Sequence, residues 1–332
     1  MNALENRLLN DFQRDLPLCP APFAHIGEVL GLEQAQVIDA LSRLKAEGKI
    51  SRVGAVFRPN SVSASTLAAM QVPKQRLDEV ADMVSACPGV SHNYARAYSF
   101  NLWFVVTARN EPMLENLLDD LQRKSGCSML RLPLVESYHI DLGFDLGGSD
   151  GVAQPARRVS VTRHSGTRLP LAAHEARLAD RIAGGLPFVP RPWQELATQA
   201  DTTEDAAIGT VRRWVVDGVI TRFGVIVRHH ELGFQSNAMV AFDIPDNLAE
   251  EAGLRIASID EVSLCARRAR SLPQWPYNVY CMIHGRDEAR VLTQIEALRQ
   301  RCGLLQRPFA VLFSRRRFKQ QAARTFMETA HG

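Results

Sequence analysis

In the stretch SHNYARAYSFNLWF, residues 91–104, side chains able to do chemistry recur at every second position: His92, Tyr94, Arg96 and Tyr98. Alternate residues of a β-strand share one face, so this spacing predicts an imidazole, a guanidinium and two phenols in one column. Imidazole is the side chain best suited to move a proton near neutral pH. A guanidinium fork can hold a carboxylate through two parallel hydrogen bonds. Asn101 and Trp103 alternate in the same sense along the strand that follows. Aromatic residues make up only 7% of the chain, so their density here marks a flat apolar surface. The stretch thus sets a flat apolar surface, a proton donor and a guanidinium side by side.

The elements that must position this column occur twice. LPLCPAPF at 16–23 matches LPFVPRPW at 186–193, and KISRVGAVFRP at 49–59 matches VITRFGVIVRH at 219–229. Both matches have an offset of 170 residues, which identifies a tandem duplication. Between the copies, residues 147–170 are rich in Gly, Ser, Pro and Arg without apolar periodicity, and read as a linker.

Each copy opens with three helical patterns. The third carries Val37, Ile38, Leu41 and Leu44 in the first copy, and Ala207, Ile208, Val211, Trp214 and Val215 in the second. These are the three- and four-residue spacings of a helix with one buried face, and Gly48 and Gly218 follow as stop signals. The β-type runs ISRVGAVFR and ITRFGVIVR come next, so a winged helix-turn-helix with its own hairpin is expected in each copy. The remainder of each copy alternates strand and helix as βαββαβ, the ferredoxin-like order. The expected class is therefore α+β, a tandem winged helix-turn-helix plus ferredoxin-like chain. Its segments are 1–62 and 171–232 for the winged helices, 63–146 and 233–326 for the ferredoxin-like domains, and 147–170 for the linker.

Composition narrows the function classes. The chain has 332 residues, 46% of them apolar and 23% charged, as soluble globular proteins do. It has no apolar run long enough to span a membrane and no signal-peptide core near its start, so a cytoplasmic location is expected. Its six cysteines are scattered without a CxxC pair, which argues for buried thiols rather than a metal site. Charge is uneven, with 14 Lys and Arg against 18 Asp and Glu in residues 1–150, and 25 against 18 in residues 151–332. The basic excess lies in the linker, in ARRAR at 266–270 and in SRRRFK at 314–319. A modest excess of this kind reads either as a solubilising surface or, more sharply, as the mark of a polyanionic partner.

Aligning the two copies sharpens the site. Arg96 corresponds to Arg268, Asn101 to Asn278 and Trp103 to Tyr280, whereas Leu264 and Ala266 replace His92 and Tyr94. The second copy adds Arg267, Arg270, Trp275, Tyr277 and His284. Proton-transfer candidates thus belong to one copy and additional cations to the other, as in one composite site.

The set HNYxR, NLWF, ESYHIDLGF at 136–144 and WPYNVYCMIHG at 275–285, on a duplicated winged-helix and βαββαβ chain, resembles the siroheme decarboxylase family. The underlying layout resembles Lrp/AsnC regulators. In many members of the decarboxylase family a second His follows HNYxR, near where this chain has Tyr98. The resemblance implies a carboxy-lyase that removes two acetate carboxyls from siroheme as CO2, giving didecarboxysiroheme for d1-type haem. It implies no separate cofactor, since the conjugated macrocycle accepts the electrons left by CO2 and the iron belongs to the substrate. His92, His139 and Tyr94 would be catalytic, with His92 or His139 delivering the proton and the other orienting a carboxylate or contacting the iron. Arg96, Tyr98, Asn101, Trp103, Arg267, Arg268, Arg270, Trp275, Tyr277, Asn278 and His284 would hold the substrate. Self-association or further Lrp-like decarboxylase subunits are the implied protein partners.

The alternative is a tetrapyrrole-responsive Lrp/AsnC-type transcriptional regulator. The third helices begin with Glu33, Gln34 and Gln36, and with Glu204 and Asp205, a poor start for contacting DNA phosphates. Sequence-specific DNA binding is therefore not expected. His284 reads either as a sheet histidine satisfied by its neighbours or as a ligand contact. SRRRFK reads either as a solvated strand end or as part of the substrate site. His25, His164, His174, His229 and His230 read as surface residues.

Overall fold

The computed structural model describes residues 3–140, 162–163, 168–227 and 236–321. In chain order the first copy contains α1 (Ala3–Asp11), α2 (Pro22–Leu30), α3 (Gln34–Ala46), β1 (Ile50–Phe57), β2 (Ala64–Gln71), α4 (Leu77–Ala86), β3 (Val90–Arg96), β4 (Leu102–Ala108), α5 (Glu111–Ser125) and β5 (Ser128–Ile140). A short β6 (Thr162–Arg163) precedes the second copy. That copy contains α6 (Ala173–Gly184), α7 (Pro192–Ala200), α8 (Glu204–Val216), β7 (Ile220–Val227), β8 (Ser236–Phe242), α9 (Ala249–Ala257), β9 (Val262–Arg268), β10 (Val279–Gly285), α10 (Glu288–Arg301) and β11 (Phe309–Gln320). Contacts gather the chain into two units, one from the described parts of 1–63 and 167–232, the other from those of 64–166 and 233–320. Each unit combines equivalent pieces of both copies. Most of the linker, with Arg157, Arg158 and His164, lies outside the described residues, as do His229 and His230. No helix among the described residues is long and apolar enough to cross a membrane.

In the helical unit the expected periodicity produces the expected helices. Val37, Leu41 and Leu44 are buried on α3, and Ala207, Ile208, Val211 and Trp214 on α8. Val215, expected on that stripe, is instead exposed. Gly48 and Gly218 have φ of 75° and 67°, a left-handed turn that glycine adopts without strain.

The hairpin expected in each copy is not formed. β1 pairs with β7 instead, as one antiparallel ribbon shared by the two copies. Gly54 faces Gly224 at its centre. A Cβ on Gly54 would lie 2.6 Å from the Ile182 carbonyl, and one on Gly224 2.4 Å from that of Gln13. The chain leaving each first helix therefore crosses the ribbon strand of the other copy, and only a residue without a side chain permits that approach.

The second unit is built from β-strands. Within each copy the strand order is that of a ferredoxin-like sheet, β5-β2-β4-β3 and β11-β8-β10-β9. The two sheets then join edge to edge twice, β3 to β11 and β9 to β5, and the eight antiparallel strands close into a ring. Closure gives every strand between β5 and β11 around the ring a neighbour on each side, and β6 adds to the remaining edge of β5 at Glu136 and Ser137. The long last strand of each copy performs the join. β5 pairs with β2 through Pro133 and with β9 from Leu134 onward, while β11 pairs with β8 through Phe313 and with β3 from Ser314 onward. Helices α4 and α5 cover the outer face of the first sheet, and α9 and α10 that of the second. The inner face holds a third core drawn from both copies, including Trp103, Leu132, Trp275, Tyr280 and Leu312.

Candidate active site

Three members of the column expected on β3, His92, Tyr94 and Arg96, share a face as the spacing requires, whereas Tyr98 lies in the turn beyond the strand and packs on Trp275. Val90 pairs with Val106 but His92 with Val105, so a bulge falls at Ser91. Beyond it Asn93 is fully buried, its amide donating to the Ala81 carbonyl at 2.9 Å and to Ser85 Oγ at 3.0 Å on α4. That anchor fixes the outer face and leaves His92, Tyr94 and Arg96 on the inner one. The His92 and Tyr94 rings stack with centroids 6.3 Å apart, and Arg96 Cζ lies 5.7 Å from the Tyr94 ring. His92 Nδ1 is 2.9 Å from Ser91 Oγ. His92 and Tyr94 are half-buried, whereas Arg96 is 9% exposed, so the column runs from accessible to enclosed.

Arg96 and its counterpart Arg268 are bound alike. Arg96 donates from Nη1 to the Leu312 carbonyl at 2.8 Å, and Arg268 donates to the Leu132 carbonyl at 2.9 Å. Among the described residues neither has a carboxylate partner. Arg96 Nε is buried without a hydrogen bond. Burial lowers the pKa of both to about 10. A cation enclosed in this way is stabilised by any anion that reaches it, because the attraction is least screened there.

Arg267 and Arg270 are held differently. Arg267 lies 3.8 Å from Glu136 and 3.4 Å from Asp246. Arg270 pairs with Asp243 at 2.6 Å and donates to the carbonyls of Ile244 and Pro276. The geometry makes Arg270 the tie between the 275–277 turn and the end of β8. Asn101 accepts from the Val72 amide and donates to the Val72 carbonyl, both at 2.9 Å, and Asn278 does the same at Ile244. Both asparagines act as clamps on the backbone just beyond β2 and β8, where the sequence suggested ligand contacts.

The aromatic residues form a nest around Trp275, which is wholly buried. Trp103, Tyr98, Tyr277 and Phe100 approach it edge-on at 5.2, 5.3, 4.8 and 6.4 Å. Trp275 Nε1 donates to Tyr280 Oη at 2.6 Å, and Trp103 Nε1 to the Phe100 carbonyl at 2.6 Å. Both indoles are thus core side chains with satisfied polar atoms, and Tyr98 is the accessible rim at 39% exposure. Burial and a hydrogen bond with Tyr98 raise the Tyr277 pKa to about 12, so the Tyr277 phenol is neutral near pH 7.

The two remaining histidines separate. His284 Nδ1 meets Asn237 Oδ1 at 2.5 Å and Nε2 meets Ser263 Oγ at 2.8 Å, which satisfies the ring inside the sheet. Burial, with a smaller contribution from the charge of Arg96, lowers its pKa to about 4. His139 pairs with Cys265, whose side chain belongs to the helix-covered core, while Ser137 pairs with Ala266. The bulge between Ser137 and His139 therefore sets His139 on the outer face, opposite in sense to His92. Of the two imidazoles expected to be catalytic, His92 lies on the inner face of the column and His139 on the opposite face. Sequence parity missed the bulge at Ser91, although the same Ser stands at Ser263 in a strand with the same irregularity. Cys265 and Cys281 lie under the helices, and burial pushes their thiols well up. No group of three or more His, Cys, Asp or Glu able to hold a metal ion is found among the described residues.

Paired winged-helix segments and a double ferredoxin-like ring with one enclosed polar column define a duplicated Lrp/AsnC-like protein. Residues 62–139 and 231–319 match the family described as AsnC-like ligand binding domain, and residues 5–50 and 175–220 the siroheme decarboxylase NirDL-like HTH domain. The siroheme decarboxylase NirDL subunit of Paracoccus denitrificans is 40% identical over 99% of both chains. The siroheme decarboxylase of Hydrogenobacter thermophilus is 30% identical over 97% of this chain and 95% of that one. The NirD subunit of Pseudomonas aeruginosa is 44% identical over 45% of this chain and 99% of its own length. A crystal structure of the siroheme decarboxylase NirDL in complex with an iron-uroporphyrin III analogue superposes with a TM-score of 0.70, at 27% identity over 98% of this chain and 95% of that one. The chain belongs to the siroheme decarboxylase NirDL family.

Proposed function

We propose that this chain is a carboxy-lyase that removes two acetate carboxyl groups of siroheme as CO2, giving didecarboxysiroheme on the route to d1-type haem. The observation that carries the reading is the inner-face column, with an enclosed Arg96 whose Nε has no hydrogen bond, beneath an accessible imidazole and phenol. Arg96 supplies the carboxylate contact, with Arg268 as a second cation on the inner face. Loss of CO2 leaves an electron pair that the macrocycle delocalises, so the reaction needs no added organic cofactor. The new methyl carbon then takes a proton, and His92 is the donor positioned for it, with Tyr94 stacked beneath. The iron belongs to the substrate.

Two contacts favour an enzyme over a regulator. On α3, Gln34 donates to the Pro190 carbonyl, and on α8, Arg212 donates to the Leu18 carbonyl. Each helix that would read DNA is thus bonded to a loop of the other copy. The chain works as both halves of a decarboxylase at once, alone, self-associated or with further Lrp-like subunits. Anaerobic incubation with siroheme followed by mass spectrometry tests the activity, with loss of two carboxyl groups as the expected result. An unchanged mass, together with siroheme-dependent retention of promoter DNA, would favour the regulator.

A further inference from the structure

The column on β3 has a neighbour within the basic run SRRRFK. Across the β3–β11 seam, Arg96 faces Ser314, Tyr94 faces Arg317 and His92 faces Gln320. Directly paired residues of an antiparallel ladder share a face, so Ser314, Arg317 and Gln320 lie alongside the inner-face column. Two bulges, between Ser314 and Arg316 and between Arg317 and Lys319, produce this arrangement. They sort the basic run SRRRFK by face. Arg315 pairs with Glu288 of α10 and Arg316 with Asp78 of α4 at 2.6 Å. Lys319 donates to the carbonyls of Ser85 and Cys87, at the end of α4, at 2.7 and 2.9 Å. Arg317 alone among these cations takes the position opposite Tyr94. It is exposed, and its Nη1 lies 3.3 Å from Gln320 Oε1 on the same face.

We infer that Arg317 is a substrate-binding residue contributed by the second copy to the site of the first, holding a peripheral carboxylate of the tetrapyrrole beside His92 and Tyr94, with Gln320 orienting its guanidinium. The inference rests on the decarboxylase reading above and names a contact within that site. The equivalent seam shows what the position looks like without this equipment. There β9 pairs with β5, Ala266 faces Ser137, and Leu264 faces Ile140. Neither a cation nor an imidazole stands at those positions. A ligand surrounded by carboxylates would therefore register on the β3–β11 seam, between the enclosed Arg96 and the accessible Arg317.

The test is siroheme binding by absorbance titration, with turnover measured on the same preparations, for wild type, Arg317→Ala, Arg317→Lys and Arg316→Ala. A charge-assisted hydrogen bond between such groups corresponds to a roughly tenfold to hundredfold change in affinity. Arg317→Ala is expected to raise Kd and KM by at least about tenfold while kcat stays within about threefold, because the contact is present before and during the reaction. Arg317→Lys should recover part of the affinity, and Arg316→Ala, whose guanidinium pairs with α4, should bind as wild type. Wild-type affinity in Arg317→Ala, with an active wild type, overturns the inference and leaves the decarboxylase reading standing. An equal loss in Arg316→Ala also overturns it, since general charge would then explain the effect. A wild type that neither binds nor converts siroheme removes both readings.

Discussion

The two inner seams of the β ring share a scaffold and differ in chemistry. On the β3–β11 seam the positions read His92, Tyr94 and Arg96 against Gln320, Arg317 and Ser314. On the β9–β5 seam they read Leu264, Ala266 and Arg268 against Ile140, Ser137 and Leu134. The bulge, the asparagine clamp and the arginine bonded to a carbonyl of the other copy's last strand appear in both. Those features serve folding and closure of the ring, which require two-fold similarity. The imidazole, the phenol and the accessible guanidinium appear in one seam only, which is where proton transfer and a second carboxylate contact would be needed. Duplication kept the frame twice and the reactive groups once.

The strongest test of that contrast sets His92 against His139. General acid catalysis contributes about a hundredfold to ten-thousandfold. His92→Ala should lower CO2 release from siroheme by that factor with little change in siroheme affinity. His139→Ala should stay within a few-fold of wild type, because the register sets His139 on the helix-covered face. Equal losses in both variants would break the comparison and return His139 to the site.

A smaller difference is expected between the two inner-face arginines, Arg96 and Arg268. Arg96→Gln should raise the siroheme KM by roughly tenfold to hundredfold, the range for a hydrogen bond to a charged group. Arg268→Gln lies on the seam without the imidazole and should change KM by less than Arg96→Gln does. Because each guanidinium also bonds a backbone carbonyl, both variants should unfold at a lower denaturant concentration than wild type. Steady-state kinetics combined with denaturation curves separates the shared structural loss from the unequal functional one.

His284 gives a pH-dependent test. Its folded-state pKa is lowered from 6.5 to about 4 by burial first and the Arg96 charge second. Between those values the unfolded chain binds a proton that the folded chain does not, so stability falls as pH drops from about 6.5 toward 4 and levels off below. His284→Gln should flatten that part of the denaturation midpoint against pH. Arg96→Gln, which removes the neighbouring charge, should raise the lower edge of that window and narrow it. A midpoint slope identical in wild type and His284→Gln would mean that the ring titrates as it does in water.

Much of this frame could be read from sequence because it depends on local pattern. The 170-residue offset, the helix stripes and the stop glycines each involve residues close together in the chain. So does the every-second-residue column on β3, of which His92, Tyr94 and Arg96 keep one face while Tyr98 falls in the turn beyond. Pairing between copies was not readable in the same way. The β1–β7 ribbon resembles two hairpin arms when each copy is considered alone, and no local signal distinguishes them. Bulges were also hidden, since one extra residue reverses the face of everything after it. One such reversal set Arg317 inward, whereas the two bulges of β5 cancel and leave His139 outward, as alternation from Leu132 already places it. The roles of Arg267 and Arg270 depended on Glu136, Asp243 and Asp246, which only the fold brings to them.

The smallest expected effect follows from that last point and is informative for the same reason. Sequence counts ARRAR as a cluster of substrate-binding cations, yet Arg267 sits between Glu136 and Asp246 on the outer face. The pair with the largely exposed Asp246 contributes about 0–1 kcal/mol, and the pair with the mostly buried Glu136 accounts for the larger share of the stability that Arg267→Ala should lose. Its siroheme KM should stay within about twofold of wild type, since its charge is already balanced by two carboxylates on the face away from His92. Measured beside Arg96→Gln in the same assay, it asks whether charge or position binds the substrate. A loss of affinity in Arg267→Ala as large as that in Arg96→Gln would mean that net positive charge draws the substrate in. The distinction between the two seams would then lie in the imidazole and phenol alone.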